Sequence, residues 1–136
     1  VGNVVPPYMP DNIYSEIAAI EYAIAELGVR NIVICAHTEC GAVKASVATG
    51  DDKLGDIGLD NWLGLIKAGF KINKPKDAAD GVRINLLHQV QNLKTYPGIG
   101  EMLASKELTL NAWIYDVHSG HMLEWSNEKR DFVQIV

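Results

Sequence analysis

The chain has 136 residues, of which 48% are hydrophobic, a length and composition that suit one folded domain. Its formal net charge is −5, with lysine and arginine scattered along the sequence, which argues against nucleic acid as a partner. No apolar run approaches the roughly 20 residues that span a bilayer, and no basic segment with an apolar signal stretch opens the chain. We therefore expect a soluble protein with no membrane partner, located in the cytoplasm, with an organelle or a carboxysome as alternatives.

The first part of the chain shows helical and strand patterns in turn. Isoleucines and a leucine recurring at intervals of four and three predict an amphipathic helix over residues 12–27, with Gly28 placed to end it. Residues 31–36 are apolar and β-branched, which predicts a central strand covered on both faces. A second helix is predicted over residues 41–48, and residues 49–58 are interpreted as a solvated loop.

Two further helices and a hairpin are predicted in the rest of the chain. Asp60 can cap the first of these helices, and the second stops before Pro97. Their apolar stripes are Trp62, Leu63, Ile66 and Phe70, and then Val82, Leu86, Val90 and Leu93. Residues 108–117 and 121–125 are predicted as a C-terminal hairpin, with a further strand at 132–136. The order predicts an α/β fold with a central, largely parallel sheet flanked by helices.

The clearest chemical pattern is the pair His37 and Cys40, placed where the predicted strand ends and a helix begins. Open α/β sheets bind ligands at this position. Zinc prefers imidazole nitrogen and thiolate sulfur, and the first turn of a helix favours a thiolate at Cys40. Gly41 lets the backbone pass close to that sulfur. For so short a pattern, the alternative is a satisfied histidine beside a structural thiol.

The other titratable residues have simpler interpretations. Cys35 lies inside the apolar strand, so we predict a buried core thiol and not a third metal ligand. Four aspartates miss the spacing of a calcium loop and are interpreted as loop solvation and a helix cap: Asp51, Asp52, Asp56 and Asp60. Three histidines are candidates for proton relay and are more simply surface or helix-face residues: His88, His118 and His121.

Several segments together resemble one family. Residues 31–45, NIVICAHTECGAVKA, closely resemble the second metal-binding segment of beta-class carbonic anhydrases. Residues 1–8 resemble that family's Asn-x-Val-Pro-Pro run, and residues 19–23 resemble its helix with a pocket tyrosine. Residues 92–97 and 113–116 also fit, so the resemblance covers essentially the whole chain in the family's order.

The resemblance implies a carbonic anhydrase (carbonate dehydratase, a lyase) that hydrates carbon dioxide reversibly to bicarbonate. It implies one zinc ion per subunit, whose bound hydroxide attacks carbon dioxide. His37 and Cys40 would be zinc ligands, and Val1, Tyr22 and Gly41 would line or border the substrate pocket. The family also implies a homodimer or higher homo-oligomer, with pocket residues crossing between subunits.

The chain departs from the family at one ligand. The family's third protein ligand is a cysteine in a Cys-x-Asp-x-Arg segment, whose Asp and Arg pair beside the metal, and the sequence contains no such segment. We therefore expect residues 1–136 to form a single domain that lacks its N-terminal portion, supplied by the parent polypeptide or a separate chain. The alternatives are a catalytically silent zinc-binding or scaffold subunit, and a hydrolase of another small linear substrate such as carbon disulfide.

Overall fold

One mixed β-sheet organises the fold. The structure is a computed structural model that describes residues 2–12, 14–53, 55 and 57–136. Its strands are β1 (Asn31–His37), β2 (Thr109–Tyr115), β3 (Met122–Ser126) and β4 (Asp131–Gln134), in the order β1-β2-β3-β4. β1 and β2 pair in parallel, whereas β3 pairs antiparallel with both β2 and β4. The α/β class with flanking helices and a C-terminal hairpin is thus confirmed.

Helices account for most of the remaining described chain. They are α1 (Ser15–Ala25), α2 (Gly41–Thr49), α3 (Ile57–Ile72), α4 (Ala78–Leu93) and α5 (Ile99–Ala104). The sequence analysis predicts the first four, three of them from apolar periodicity. Helix α5, which the sequence analysis missed, has only six residues and follows Gly98, whose φ of 78° is left-handed. Among the described residues, no helix has both the length and the apolar character needed to cross a bilayer.

The predicted cap at Asp60 is wrong in its position. Helix α3 begins three residues earlier, at Ile57, so Asp60 lies inside the first turn. From there its carboxylate accepts a hydrogen bond from the Gly55 N–H at 3.1 Å. Asp60 therefore stabilises the chain entering the helix and adds negative charge near the helix N-terminus, where it is favourable.

Helix α4 is the centre of the core. It contacts α2, α3, β1 and β2, and its Leu86 side chain is completely buried. Gly81 allows α2 to approach closely, since a Cβ at that position would lie 2.9 Å from Val43 Cγ1 and 3.0 Å from Val47 Cγ2. Asp77 caps α4 by accepting a hydrogen bond from the Asp80 N–H at 2.8 Å. The helix is thus fixed along most of its length.

A buried row of amide side chains on α4 holds the N-terminal segment in place. Gln89 Oε1 accepts from the Val5 N–H at 2.9 Å, and Asn92 Nδ2 donates to the Val5 carbonyl at 2.8 Å. Gln89 Nε2 in turn donates to Asn85 Oδ1 at 2.8 Å. Buried backbone groups need hydrogen-bond partners. These side chains supply them to the Val5 backbone, in the place that a neighbouring strand would otherwise take.

Strand β1 lies at one edge of the described sheet. The sequence predicted that this strand is covered on both faces, but the described structure does not cover both. Ile34 and Ala36 are buried against the helices, whereas Val33 is 41% exposed and Cys35 is exposed. The prediction of a buried core thiol at Cys35 is therefore wrong. Desolvation of the covered part of the thiol still raises the pKa of Cys35, and a hydrogen bond with the Tyr115 backbone offsets part of that increase.

Candidate metal centre

The structure brings His37 and Cys40 to one small cavity. His37 is the last residue of β1, and Cys40 is the residue immediately before α2. Both line a cavity of about 90 Å³ that is bordered on its apolar side by Ala36, Val43 and Ile66. The strand–helix junction predicted from the sequence therefore places an imidazole and a thiol around the same space.

The His37 ring is oriented by the residue that follows it. Its Nδ1 lies 2.8 Å from the Thr38 carbonyl oxygen. A carbonyl oxygen can only accept, so this contact assigns the proton to Nδ1 and leaves the lone pair of the neutral ring on Nε2. Metal-binding histidines commonly donate their second ring N–H to a carbonyl or carboxylate in this way.

The turn between His37 and Cys40 has an uncommon backbone. Glu39 has a φ of 61°, in the left-handed region where a residue with a Cβ is disfavoured. Its carboxylate forms an ion pair with Lys44, and the hydrogen bond and charge of Lys44 lower the pKa of Glu39. Because both side chains are about half exposed, the pair adds little to stability.

The two residues fit zinc in donor type and make up part of a site. Imidazole and thiolate are preferred zinc ligands, and a catalytic zinc takes three protein ligands and leaves one position open. Within residues 2–12, 14–53, 55 and 57–136, no group of three or more His, Cys, Asp or Glu side chains is arranged to hold a metal ion. Cys35 lines the same cavity, yet it does not complete such a group.

Of the three predicted pocket residues, Gly41 and Tyr22 lie among the described residues and in different surroundings. Gly41 is the first residue of α2, next to Cys40. Tyr22 lies on α1 with 59% of its surface exposed, and it is not among the described residues lining the cavity of His37 and Cys40. Val1 lies outside the described residues, as do Ile13 of the predicted helix stripe and Asp56 of the loop. The pocket roles of Val1, Tyr22 and Gly41 stay predictions.

The three remaining histidines lie in different surroundings. His118 and Cys40 both line a larger cavity of about 570 Å³, whereas His121 is exposed in the hairpin. His88 lies where α4 meets α3, and its Cγ would be 2.9 Å from a Cβ at Gly69. Burial lowers the pKa of His88. Among the three, His118 is the one that lines a described cavity together with Cys40.

Several contributors to the site were missed by sequence reasoning. Asn3, Trp62 and Asn85 line the small cavity, and the buried Trp62 Nε1 has no hydrogen-bond partner among the described atoms. Asp116 contacts the turn between His37 and Cys40 from a position 78 residues away from Thr38. No local pattern marks these residues, because only the strand register and helix packing bring them to the site.

Fold and site together define an α/β protein with a His-x-x-Cys motif at the end of a parallel strand. The sequence profile of the carbonic anhydrase family matches residues 1–122. The chain is 33% identical over 141 residues to carbonic anhydrase 1 of Escherichia coli O157:H7, covering 98% of this chain and 64% of that protein. It is 35% identical to a carbonic anhydrase of Synechococcus elongatus, covering 96% of this chain and 50% of that protein. The chain belongs to the carbonic anhydrase family.

Solved structures agree with this assignment. The beta-carbonic anhydrase CcaA matches 99% of this chain and 64% of its own, with a TM-score of 0.85 and 31% sequence identity. A tetrameric beta-carbonic anhydrase of the filamentous ascomycete Sordaria macrospora matches 87% of this chain and 62% of its own, with a TM-score of 0.66 and 29% identity. The chain thus spans between about half and two thirds of the length of the two relatives named above and of CcaA.

Proposed function

We propose that this chain provides His37 and Cys40 to the zinc site of a beta-class carbonic anhydrase, which interconverts carbon dioxide and bicarbonate. The main support is the orientation of the His37 ring, whose Nδ1 faces the Thr38 carbonyl at 2.8 Å. This leaves Nε2 as the metal-binding nitrogen, on a ring that lines the same cavity as the Cys40 thiol. The similarity to solved beta-carbonic anhydrases supports the same assignment.

The residues around the cavity have separate tasks in this proposal. His37 Nε2 and Cys40 Sγ hold the metal, which, when bound, lowers the pKa of water to about 7 and so supplies hydroxide near neutral pH. Cys40 occupies the N-cap position of α2, so its side chain lies next to the first turn of that helix. Ala36, Val43 and Ile66 present an apolar wall suited to an uncharged, linear substrate such as carbon dioxide.

The open edge of β1 is the place for the third ligand in this proposal. Strand β1 has a described neighbour on one side only, and Val33 and Cys35 are exposed along it. We propose that a further parallel strand, from the parent polypeptide or a separate chain, pairs along this edge. It carries the family's Cys-x-Asp-x-Arg segment and completes one domain with residues 1–136.

The proposed assembly is a homodimer or a higher homo-oligomer located in the cytoplasm. Tyr22 and Leu27 are large side chains on and beside α1, and they are 59% and 64% exposed. We propose that this surface faces a second subunit and that Tyr22 contributes to that subunit's pocket. The Sordaria macrospora proteins are described as tetrameric.

One observation favours a second candidate function, a catalytically silent zinc-binding or scaffold subunit. Cys35, His37 and Cys40 line the cavity, yet among the described residues no group of three or more His, Cys, Asp or Glu side chains is arranged to hold a metal ion. A chain in which no third ligand arrives at the β1 edge would keep the fold without forming the open three-ligand site that catalysis needs.

The test compares metal content with activity in the natural polypeptide that contains this chain. We expect one zinc per subunit and carbon dioxide hydration in the unchanged protein, and loss of both in His37→Ala and in Cys40→Ala. Cys35→Ser is the matched control, because this thiol lines the same cavity and is not a proposed ligand. Zinc retained in full by His37→Ala would refute the ligand assignment. Zinc without hydration in the unchanged protein would favour the silent subunit.

A further inference from the structure

One carboxylate ties the turn between His37 and Cys40 to the loop that follows β2. Thr38 Oγ1 donates to Asp116 Oδ1 at 3.1 Å and accepts from the Val117 N–H at 3.0 Å. The parallel register places this loop here, since His37 pairs with Tyr115 and the Thr38 N–H donates to the Tyr115 carbonyl at 2.9 Å. Thr38 is therefore held by both its backbone and its side chain.

Hydrogen bonds within its own loop hold Asp116 in place, in addition to its bond with Thr38. Ser119 Oγ donates to Asp116 Oδ2 at 2.6 Å, and the His118 N–H donates to Oδ1 at 3.1 Å. The Gly120 N–H donates to the Asp116 carbonyl at 2.8 Å, which closes the turn. The hydrogen bonds from Ser119 and His118 lower the pKa of Asp116, so that an ionised acceptor meets the Thr38 hydroxyl at neutral pH.

The turn that carries the two ligand residues needs a restraint of this kind. Glu39 holds a left-handed backbone that its side chain disfavours. Cys40 occupies the N-cap position of α2 without a cap hydrogen bond from its side chain within the described structure. Local preference therefore does little to keep His37 and Cys40 at a fixed separation, and a contact from outside the turn has to do so.

We propose that Asp116 is a positioning residue of the metal centre, acting through Thr38 to set the geometry of His37 and Cys40. This inference rests on the proposed function, in which those two residues are zinc ligands. Asp116 touches neither ligand, so its effect passes through the Thr38 hydroxyl and the backbone of the turn. The role resembles that of outer-shell partners, whose loss typically lowers metal affinity by 10–100-fold.

The experiment is a double-mutant cycle on the natural polypeptide, read by zinc affinity against a competing chelator. Asp116→Ala and Thr38→Val should each weaken zinc binding by about 10-fold or more, and the double variant should be little worse than either single one. Thr38→Ser should restore wild-type affinity because it keeps the hydroxyl. Glu128→Gln, in the exposed turn between β3 and β4, is the matched control and should not change the affinity.

Two further readouts separate positioning from a general loss of structure. In the cobalt-substituted protein, Asp116→Ala and Thr38→Val should shift the thiolate-to-metal and d–d absorption bands, while far-UV circular dichroism stays unchanged. In the metal-free protein, amide hydrogen exchange should accelerate over residues 38–41 in both variants. Thr38→Val keeps the hairpin loop intact, so it reports on the link even where Asp116→Ala disturbs that loop.

The outcomes distinguish this inference from the proposed function. A wild-type protein that binds no zinc overturns the proposed function, and unchanged exchange over residues 38–41 then overturns the restraint as well. If the wild type binds zinc and Asp116→Ala or Thr38→Val binds it with equal affinity, only the positioning role of Asp116 is overturned. Fully additive effects in the double variant also contradict a path through Thr38.

Discussion

Helix α4 and the turn at the end of β1 represent two different ways of holding a side chain in place. Leu86 and Gln89 on α4 are completely buried, and the amide of Gln89 forms hydrogen bonds with Val5 and Asn85. At the β1 end, His37 is exposed, Glu39 is left-handed, and polar contacts from Asp116 provide the restraint. Stability is thus concentrated in α4, whereas the turn between His37 and Cys40 depends on a few directional hydrogen bonds.

The largest expected effect is in the α4 core. Leu86→Ala removes a completely buried side chain and leaves a cavity, so we expect the free energy of unfolding to fall by about 3 kcal/mol or more. Urea denaturation measures this change. Ile72→Ala is the control, since Ile72 is 71% exposed and should change stability by about 0.5 kcal/mol or less. Equal losses in the two variants would contradict a core centred on α4.

A second variant tests how closely α2 approaches α4. Gly81→Ala places a Cβ 2.9 Å from Val43 Cγ1, so we expect a loss of about 1–3 kcal/mol, measured by thermal or urea unfolding. Gly64→Ala is the matched control inside α3, where a Cβ meets no described atom within 4 Å. Better helix propensity should make that variant more stable by about 0.5–1 kcal/mol. A loss of stability in Gly81→Ala together with a gain in Gly64→Ala supports the proposed packing. A stability change in the same direction in both variants would contradict it.

Alkaline pH provides a third test, through Tyr96 on the inner side of the N-terminal segment. Its hydroxyl donates to the Pro6 carbonyl at 3.1 Å, and burial, with smaller contributions from Glu16 and Glu21, raises its pKa to about 12. Because the unfolded phenol ionises near pH 10, this contribution is complete below pH 10 and is lost as pH rises toward 12.

The expected alkaline loss from Tyr96 is of the order of 1–2 kcal/mol, measured by urea denaturation at several pH values between 9 and 12. Tyr96→Phe should remove this part of the pH dependence. Tyr115→Phe is the control and should keep it, because Tyr115 is 40% exposed and does not contact the Pro6 carbonyl. An unchanged slope in Tyr96→Phe would show that other groups cause the alkaline loss.

The smallest expected effect lies at the turn itself. Glu39→Gly relieves a left-handed backbone and gives up an exposed ion pair with Lys44, so we expect the melting temperature to rise by roughly 1–3 °C. Glu39→Ala keeps the strain and loses the same ion pair, so it should not rise. A lower melting temperature for Glu39→Gly than for Glu39→Ala would contradict the account of backbone strain.

Periodic patterns predicted most of the fold, and their failures have physical causes. Helices α1, α3 and α4 have apolar stripes long enough to show a helical period. Helix α5 has six residues, which are too few to show one. Residues 31–36 are apolar on both alternating faces, which predicts cover on both sides. The sequence cannot tell whether the covering elements belong to the same stretch of chain, and therefore Val33 and Cys35 were wrongly expected to be buried.

The candidate site was predictable where its residues are adjacent in sequence. His37 and Cys40 belong to one strand–turn–helix junction, whose local pattern fixes their proximity. Asp116 lies 78 residues from Thr38 and reaches it only through the β1–β2 register, a property of pairing that a single sequence does not contain. Directional polar contacts across strands are thus harder to predict than the residues that they position.

The bonds between Val5 and α4 also have a consequence for protein synthesis. Val5 finds its partners at Gln89 and Asn92, which lie 84 and 87 residues further along the chain. At ribosomal rates of 5–20 residues per second, these partners are made roughly 4–17 seconds after Val5. Throughout that interval the segment around Val5 has no α4 to bind, so its final docking waits until α4 has been translated.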